Sequence, residues 1–145
     1  MPEKPKEDTF RIIREWIEKA ENDLTNAAHT LKLGRKCPTD TVGFHVQQCV
    51  EKYLKALLIW YGTDFPRTHD IGNLETLLGR NYQTGLSPEV VRRLTGYATI
   101  MRYPGTPGPI PLKEARQAVT IARRIRREVR KLLPQGAIRR SKSSR

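Results

Sequence analysis

Cysteine is scarce in this sequence. Cys37 and Cys49 are the two present, too few for a disulfide framework and without the CxxC spacing that metal sites favour. Cys49 reads as a small core residue on a helix and Cys37 as a loop thiol. Histidine is scarce too: His29, His45 and His69 all lie in the first half of the chain. No Asp or Glu cluster with ligand spacing accompanies them, so no zinc site is expected. Long apolar runs are missing. The longest, Ala56 to Tyr61, falls far short of the roughly 20 residues a membrane span needs. Residues 1–8 are rich in Pro, Lys and Glu and lack the apolar stretch of a secretory signal. Together these absences predict a cytoplasmic protein with no metal and no cofactor. A period-two alternation, an internal repeat and a glycine-rich phosphate loop are absent as well, which argues against strands and against a nucleotide-binding P-loop.

What the sequence does contain is charge and helical periodicity. With 37% hydrophobic and 29% charged residues over 145 positions, one globular domain is the expectation. The net charge of +12 is unevenly placed: residues 113–145 hold twelve Lys or Arg against two Glu, leaving the first 112 residues nearly balanced. A basic block of this kind attracts phosphate-bearing or acidic partners, or else forms a solvated helix face with a basic tail.

Ile13, Trp16, Ile17, Ala20, Leu24, Ala27, Ala28 and Leu31 recur at steps of three and four and predict a helix from about Thr9 to Lys32. A second runs from about Thr41 to Tyr61, with Thr39 or Asp40 as its N-cap and Gly62 closing it. Its apolar surface, from Phe44 to Tyr61, is wider than one stripe, so it is the expected central helix. Asp70 caps a short helix burying Ile71, Leu74, Leu77 and Leu78. Ser87-Pro88 opens a fourth, to about Met101, burying Val91, Leu94, Tyr97, Ala98 and Met101. Three prolines and two glycines between Arg102 and Pro109 make a stiff loop. The last helix, about Leu112 to Leu133, buries Ala115, Ala118, Ala122, Ile125, Val129 and Leu132, and Pro134 and Gly136 end it. The expected fold is all-α: an antiparallel up-and-down bundle of four long helices and one short one. The expected organisation is a flexible N-terminus at 1–8, a bundle at 9–133 and a basic, disordered tail at 134–145.

Several segments resemble one family in order. They are Trp16, Ala20, Asp23, Leu24 and Ala27-Ala28; Phe44-His45, Gln47-Gln48, Glu51-Lys52 and Leu54-Lys55-Ala56; Pro66-Arg67-Thr68-His69-Asp70; and Arg102-Tyr103-Pro104-Gly105. This set resembles the HEPN domain family of bacteria and archaea over roughly residues 10–130. The resemblance implies a helical bundle, usually a homodimer, often paired with a minimal nucleotidyltransferase in a toxin-antitoxin-like system. Many such proteins are metal-independent ribonucleases that carry Arg followed four to six residues later by His, near the start of the last long helix. Here no His follows an Arg at that distance, and the last helix has none. Cleavage through a 2′-hydroxyl uses a group that exchanges protons near neutral pH beside an Arg that stabilises phosphate charge.

The expectation is therefore a non-catalytic, dimerising module that partners a nucleotidyltransferase and binds nucleotides. The alternatives are a ribonuclease with an atypical site built on His69 and Arg102, or RNA or DNA binding through the basic last helix. The candidate ligand residues are Glu51, Lys52, Lys55, His69, Asp70, Arg102 and Tyr103. His69 also reads as a structural histidine, and Glu51 with Lys55 as an i,i+4 surface pair. His45 and Gln48 belong either to the same cleft or to a dimer seam. Trp16 and Trp60 read as core or interface anchors.

Overall fold

The computed structural model describes residues 6–99 and 110–139, which form six α-helices and no strand. They are α1 (Lys6–Leu31), α2 (Thr39–Trp60), α3 (Ile71–Leu78), α4 (Pro88–Gly96), α5 (Leu112–Leu132) and α6 (Gln135–Ile138). The fold is all-α, as the periodicity predicts.

Local chemistry accounts for most of the boundaries. Glu7 and Asp8 sit in the first turn of α1 and His29 in its last, the signs that the helix dipole favours. Asp70 caps α3 by accepting from the Asn73 amide at 3.2 Å. Ser87 does the same for α4 through the Val90 amide, with Pro88 at the first helical position. Gly62 follows α2 at φ 69°, a left-handed conformation in which a side chain would be strained.

Other boundaries differ from expectation. The N-cap of α2 is Pro38, and Asp40 accepts from its neighbour, the Thr41 amide. Helix α4 stops at Gly96, where loss of Cβ removes helix propensity, and turns continue to Thr99. Met101 lies outside the described residues. Leu77 and Leu132, expected in the core, are exposed; beyond α5 the backbone becomes extended and sends Leu133 inward instead. Residues 134–139, expected to begin a tail, turn back as α6. Ala137 is fully buried there, and the Gly136 carbonyl accepts from Arg14 Nη1 at 2.7 Å. Pro134 ends α5 but serves as the N-cap of the next turn.

Helix α2 is the centre of the bundle. Val42, Val46, Val50, Tyr53, Leu54, Leu57 and Leu58 are completely buried among α1, α3 and α5. Each large aliphatic side chain so buried contributes on the order of 1.5–3 kcal/mol. Side-chain pairs fix the directions. Phe10 meets Trp60 and Asp23 meets His45, so α1 and α2 are antiparallel. Glu21 meets Arg126 of α5 and, earlier on α1, Arg14 meets Gly136 of α6, so the chain from α5 into α6 runs antiparallel to α1 as well. Where α2 passes Tyr97 and Ile110, Gly43 leaves no room: a Cβ there would lie 2.6 Å from Ile110 Cδ1 and 3.1 Å from Tyr97 Cγ.

Candidate functional site

Two polar clusters interrupt the apolar surface of α2, and between them they take up most of the candidate residues. The first follows positions 47, 51 and 55, one helical turn apart on one face. Glu51, only 3% exposed, receives Lys55 Nζ at 3.0 Å on one oxygen. Its other oxygen takes Gln47 Nε2 at 3.1 Å and His69 Nδ1 at 2.8 Å. Gln47 also donates to the His69 carbonyl at 2.8 Å and accepts from Gln48 Nε2 at 2.6 Å. The segment before α3 is thereby tied to α2 by both the backbone and the ring of His69. Lys55, 6% exposed, lies 5.5 Å from the Trp16 ring centroid and 5.6 Å from that of Phe65. The aromatic faces add attraction to an ammonium that burial would otherwise penalise.

The second cluster joins α1 to α2 through Asp23, which is 7% exposed. Its two oxygens take His45 Nδ1 at 2.8 Å and Lys52 Nζ at 2.5 Å. An ionised carboxylate only accepts hydrogen bonds, so beside one the imidazole is the donor, through Nδ1, and Nε2 takes no part in the contact. No buried side-chain nitrogen or oxygen among the described residues lacks a partner, which is the condition for such clusters to be stable in a core.

The structure thus brings Glu51, Lys55, His69 and Gln48 together and places Lys52 and His45 in the neighbouring cluster. Asp70 faces the start of α3, where its carboxylate caps the helix. Arg102 and Tyr103 lie outside the described residues. Gln47 and Asp23, the residues that knit the clusters, were not among the candidates. Both stand in the segments that carry the resemblance, and Gln47 lies one turn before Glu51, a spacing that could have marked it. The i,i+4 pair of Glu51 and Lys55 is formed, but inside the protein, not on its surface. Trp16 and Trp60 are partly buried against the core, as anchors would be.

Chemically, the first cluster presents one reactive group. The His69 side chain is 64% exposed while the carboxylate that orients it is buried. Both lysines are already bound to carboxylates. No group of three or more metal-ligating side chains occurs among the described residues. No described helix is long and apolar enough to cross a membrane.

A third set of charges lies between α1 and α5. Glu21 accepts from Arg126 Nε at 2.9 Å on both oxygens and lies 3.5 Å from Arg130, which in turn reaches the buried Tyr53 hydroxyl at 3.4 Å. Burial raises the Glu21 carboxyl, but the hydrogen bonds and charges of Arg126, Tyr53 and Arg130 outweigh it and hold the group below its ordinary range. Burial likewise raises the Cys49 thiol well above its usual value, so it behaves as an inert core residue.

Comparison with known proteins agrees with this architecture. No curated protein matches the chain. Two solved structures share its fold. TT1696 from Thermus thermophilus is 28% identical with a TM-score of 0.68, covering 83% of this chain and 98% of its own. ST0689, described as an archaeal HEPN homologue, is 24% identical with a TM-score of 0.59 over the same shares. The model of the HEPN domain matches residues 13–132, from the first buried turn of α1 to the end of α5. With four-fifths of its length matched in this way, the chain belongs to the HEPN domain family.

Proposed function

We propose that this chain is a non-catalytic HEPN module that homodimerises and associates with a minimal nucleotidyltransferase-family protein. One observation carries the reading: α5 holds Arg116, Arg123, Arg124, Arg126, Arg127 and Arg130 but no histidine. The helix that would supply the catalytic pair therefore has anion-binding groups and no imidazole, and its two carboxylates, Glu114 and Glu128, are bound to Tyr97 and to Tyr82 and Arg124. Nucleotide binding, the finer part of the proposal, rests on the exposed His69 ring together with Arg102 and Tyr103. Lys52 and Lys55 support that surface from within, since their ammoniums are committed to Asp23 and Glu51.

Co-purification from native cells with light scattering on the isolated chain tests the assembly. A strict monomer with no nucleotidyltransferase-like companion overturns it. Calorimetry with ATP and GTP tests the ligand, with heat expected that Arg102→Ala reduces.

A second reading has one observation in its favour. The buried Glu51 holds the exposed His69 imidazole by its Nδ1, the arrangement of a general base oriented by a carboxylate. If this is a ribonuclease site, the purified chain degrades total RNA in EDTA and His69→Ala does not; intact RNA rules it out.

A further inference from the structure

At the corner where α5 turns into α6 lies a cavity of about 600 Å³ whose ionisable lining is entirely cationic: Arg126, Arg127, Arg130, Lys131 and Arg139. Leu133, Gln135 and Ile138 complete the wall. The volume lies within the range of small-molecule sites.

Two of these guanidiniums are fixed in place. Arg126 is held by the Glu21 carboxylate and Arg130 by the Tyr53 hydroxyl and the same carboxylate. The side chains of Arg127, Lys131 and Arg139 make no hydrogen bond or ion pair among the described residues. Five cations therefore surround one space; among the described residues Glu21 is the one carboxylate that forms an ion pair with any of them, and Glu128, bound to Arg124, feels the charge of Arg127 at longer range. Like charges this close repel, and the repulsion is strongest where water is thinned by the protein wall. An occupant carrying several negative charges relieves it. Arginines whose planes are already set lose little freedom on gripping such an anion.

We propose that this corner is a binding site for a polyphosphate chain, recognised by its phosphoryl groups and not by what is attached to them. Arg127 and Lys131 stand one turn apart on α5, about 6 Å along the axis, and Arg139 reaches in from beyond α6. A chain of phosphoryl groups engages all three at once. A single phosphate leaves part of the lining unmatched. The apolar contribution is small, so a nucleoside adds little. The site is separate from the α2 clusters and involves none of the residues assigned to nucleotide binding above.

Isothermal titration of the full chain with sodium tripolyphosphate, ATP, AMP and adenosine tests this. Tripolyphosphate and ATP should bind with affinities within about tenfold of one another, AMP at least about tenfold more weakly, and adenosine not at all. Tripolyphosphate much tighter than ATP points to free polyphosphate as the ligand and retains the site, whereas ATP much tighter than tripolyphosphate refutes recognition by phosphoryl groups alone. The variant R127E with K131E, both exposed and without a hydrogen bond or ion pair among the described residues, should keep its melting temperature and lose at least about tenfold in tripolyphosphate affinity. R116E with R123E makes the same charge change elsewhere on α5 and should lose little.

Absence of heat with tripolyphosphate overturns the proposal. So does an equal loss in the two double variants, which would mark a diffuse basic face of the kind a nucleic acid backbone contacts. Loss of ATP binding in R102A but not in R127E/K131E supports the His69 surface and refutes this corner; the opposite result does the converse.

Discussion

Substituting Glu51 by Gln keeps the shape of the side chain and removes its charge. In the structure that carboxylate accepts Lys55 at 3.0 Å, His69 at 2.8 Å and Gln47 at 3.1 Å. After E51Q the Lys55 ammonium stays enclosed between Trp16 and Phe65 without its only carboxylate partner among the described residues. Breaking a buried pair from one side costs about 3–5 kcal/mol, a large share of the roughly 5–15 kcal/mol that stabilises a domain. The corresponding fall in Tm is roughly 10–20 °C. Lys55→Met should cost less, about 1–3 kcal/mol, because the carboxylate retains His69 and Gln47 and the aliphatic stem stays packed. The double variant should lose clearly less than the two single losses combined, since no charge is left unpaired. Urea denaturation of all four proteins, followed by circular dichroism, measures the cycle. A loss below about 1 kcal/mol for E51Q, the range of an exposed pair, or strict additivity in the double variant, refutes the buried-pair account.

The Glu21 carboxyl is held below its ordinary value of 4.5, so the unfolded chain takes up its proton first as pH falls. Its contribution is complete above 4.5 and is lost as pH drops through the folded value. The wild-type Tm should therefore fall more steeply below pH 4.5 than that of Glu21→Gln; parallel curves refute this. Gly43→Ala would gain up to about 1 kcal/mol of helix propensity. The new Cβ meets Ile110 and Tyr97 at 2.6 and 3.1 Å, however. Overpacking of that kind costs about 1–3 kcal/mol, so a net loss is expected on urea denaturation. Asp70→Ala and Ser87→Ala each remove an N-cap and should each lower stability by about 1 kcal/mol. A larger effect of Asp70→Ala on nucleotide heat than on stability would reveal a ligand role beyond capping.

What could be read from the sequence was what local rules govern. Steps of three and four residues located the helices, the width of the apolar face singled out α2, and Asp70 and Ser87 announced their caps because a cap acts within three residues. Tertiary effects were not legible. His69 closes on Glu51 across 18 positions and Asp23 reaches His45 across 22, and no periodicity encodes such meetings. The sequence does not show that Gln47 donates to both Glu51 and the His69 carbonyl. The pair Leu132 and Leu133 turned on one residue of helix length. Pro134 and Gly136 are ordinary stop signals, which hid α6 because they do end α5.

The fold-back of α6 bears on how the protein can be cut. Gly136 and Ala137 seat against the first turns of α1, where a Cβ on Gly136 would lie 2.9 Å from the Phe10 ring. Trimming the basic end at residue 133 would also uncover Phe10 and take from Arg14 its carbonyl acceptor, and the shortened product would report on a damaged N-terminal helix in addition to missing charge. Shortened versions and affinity handles therefore belong after Arg139.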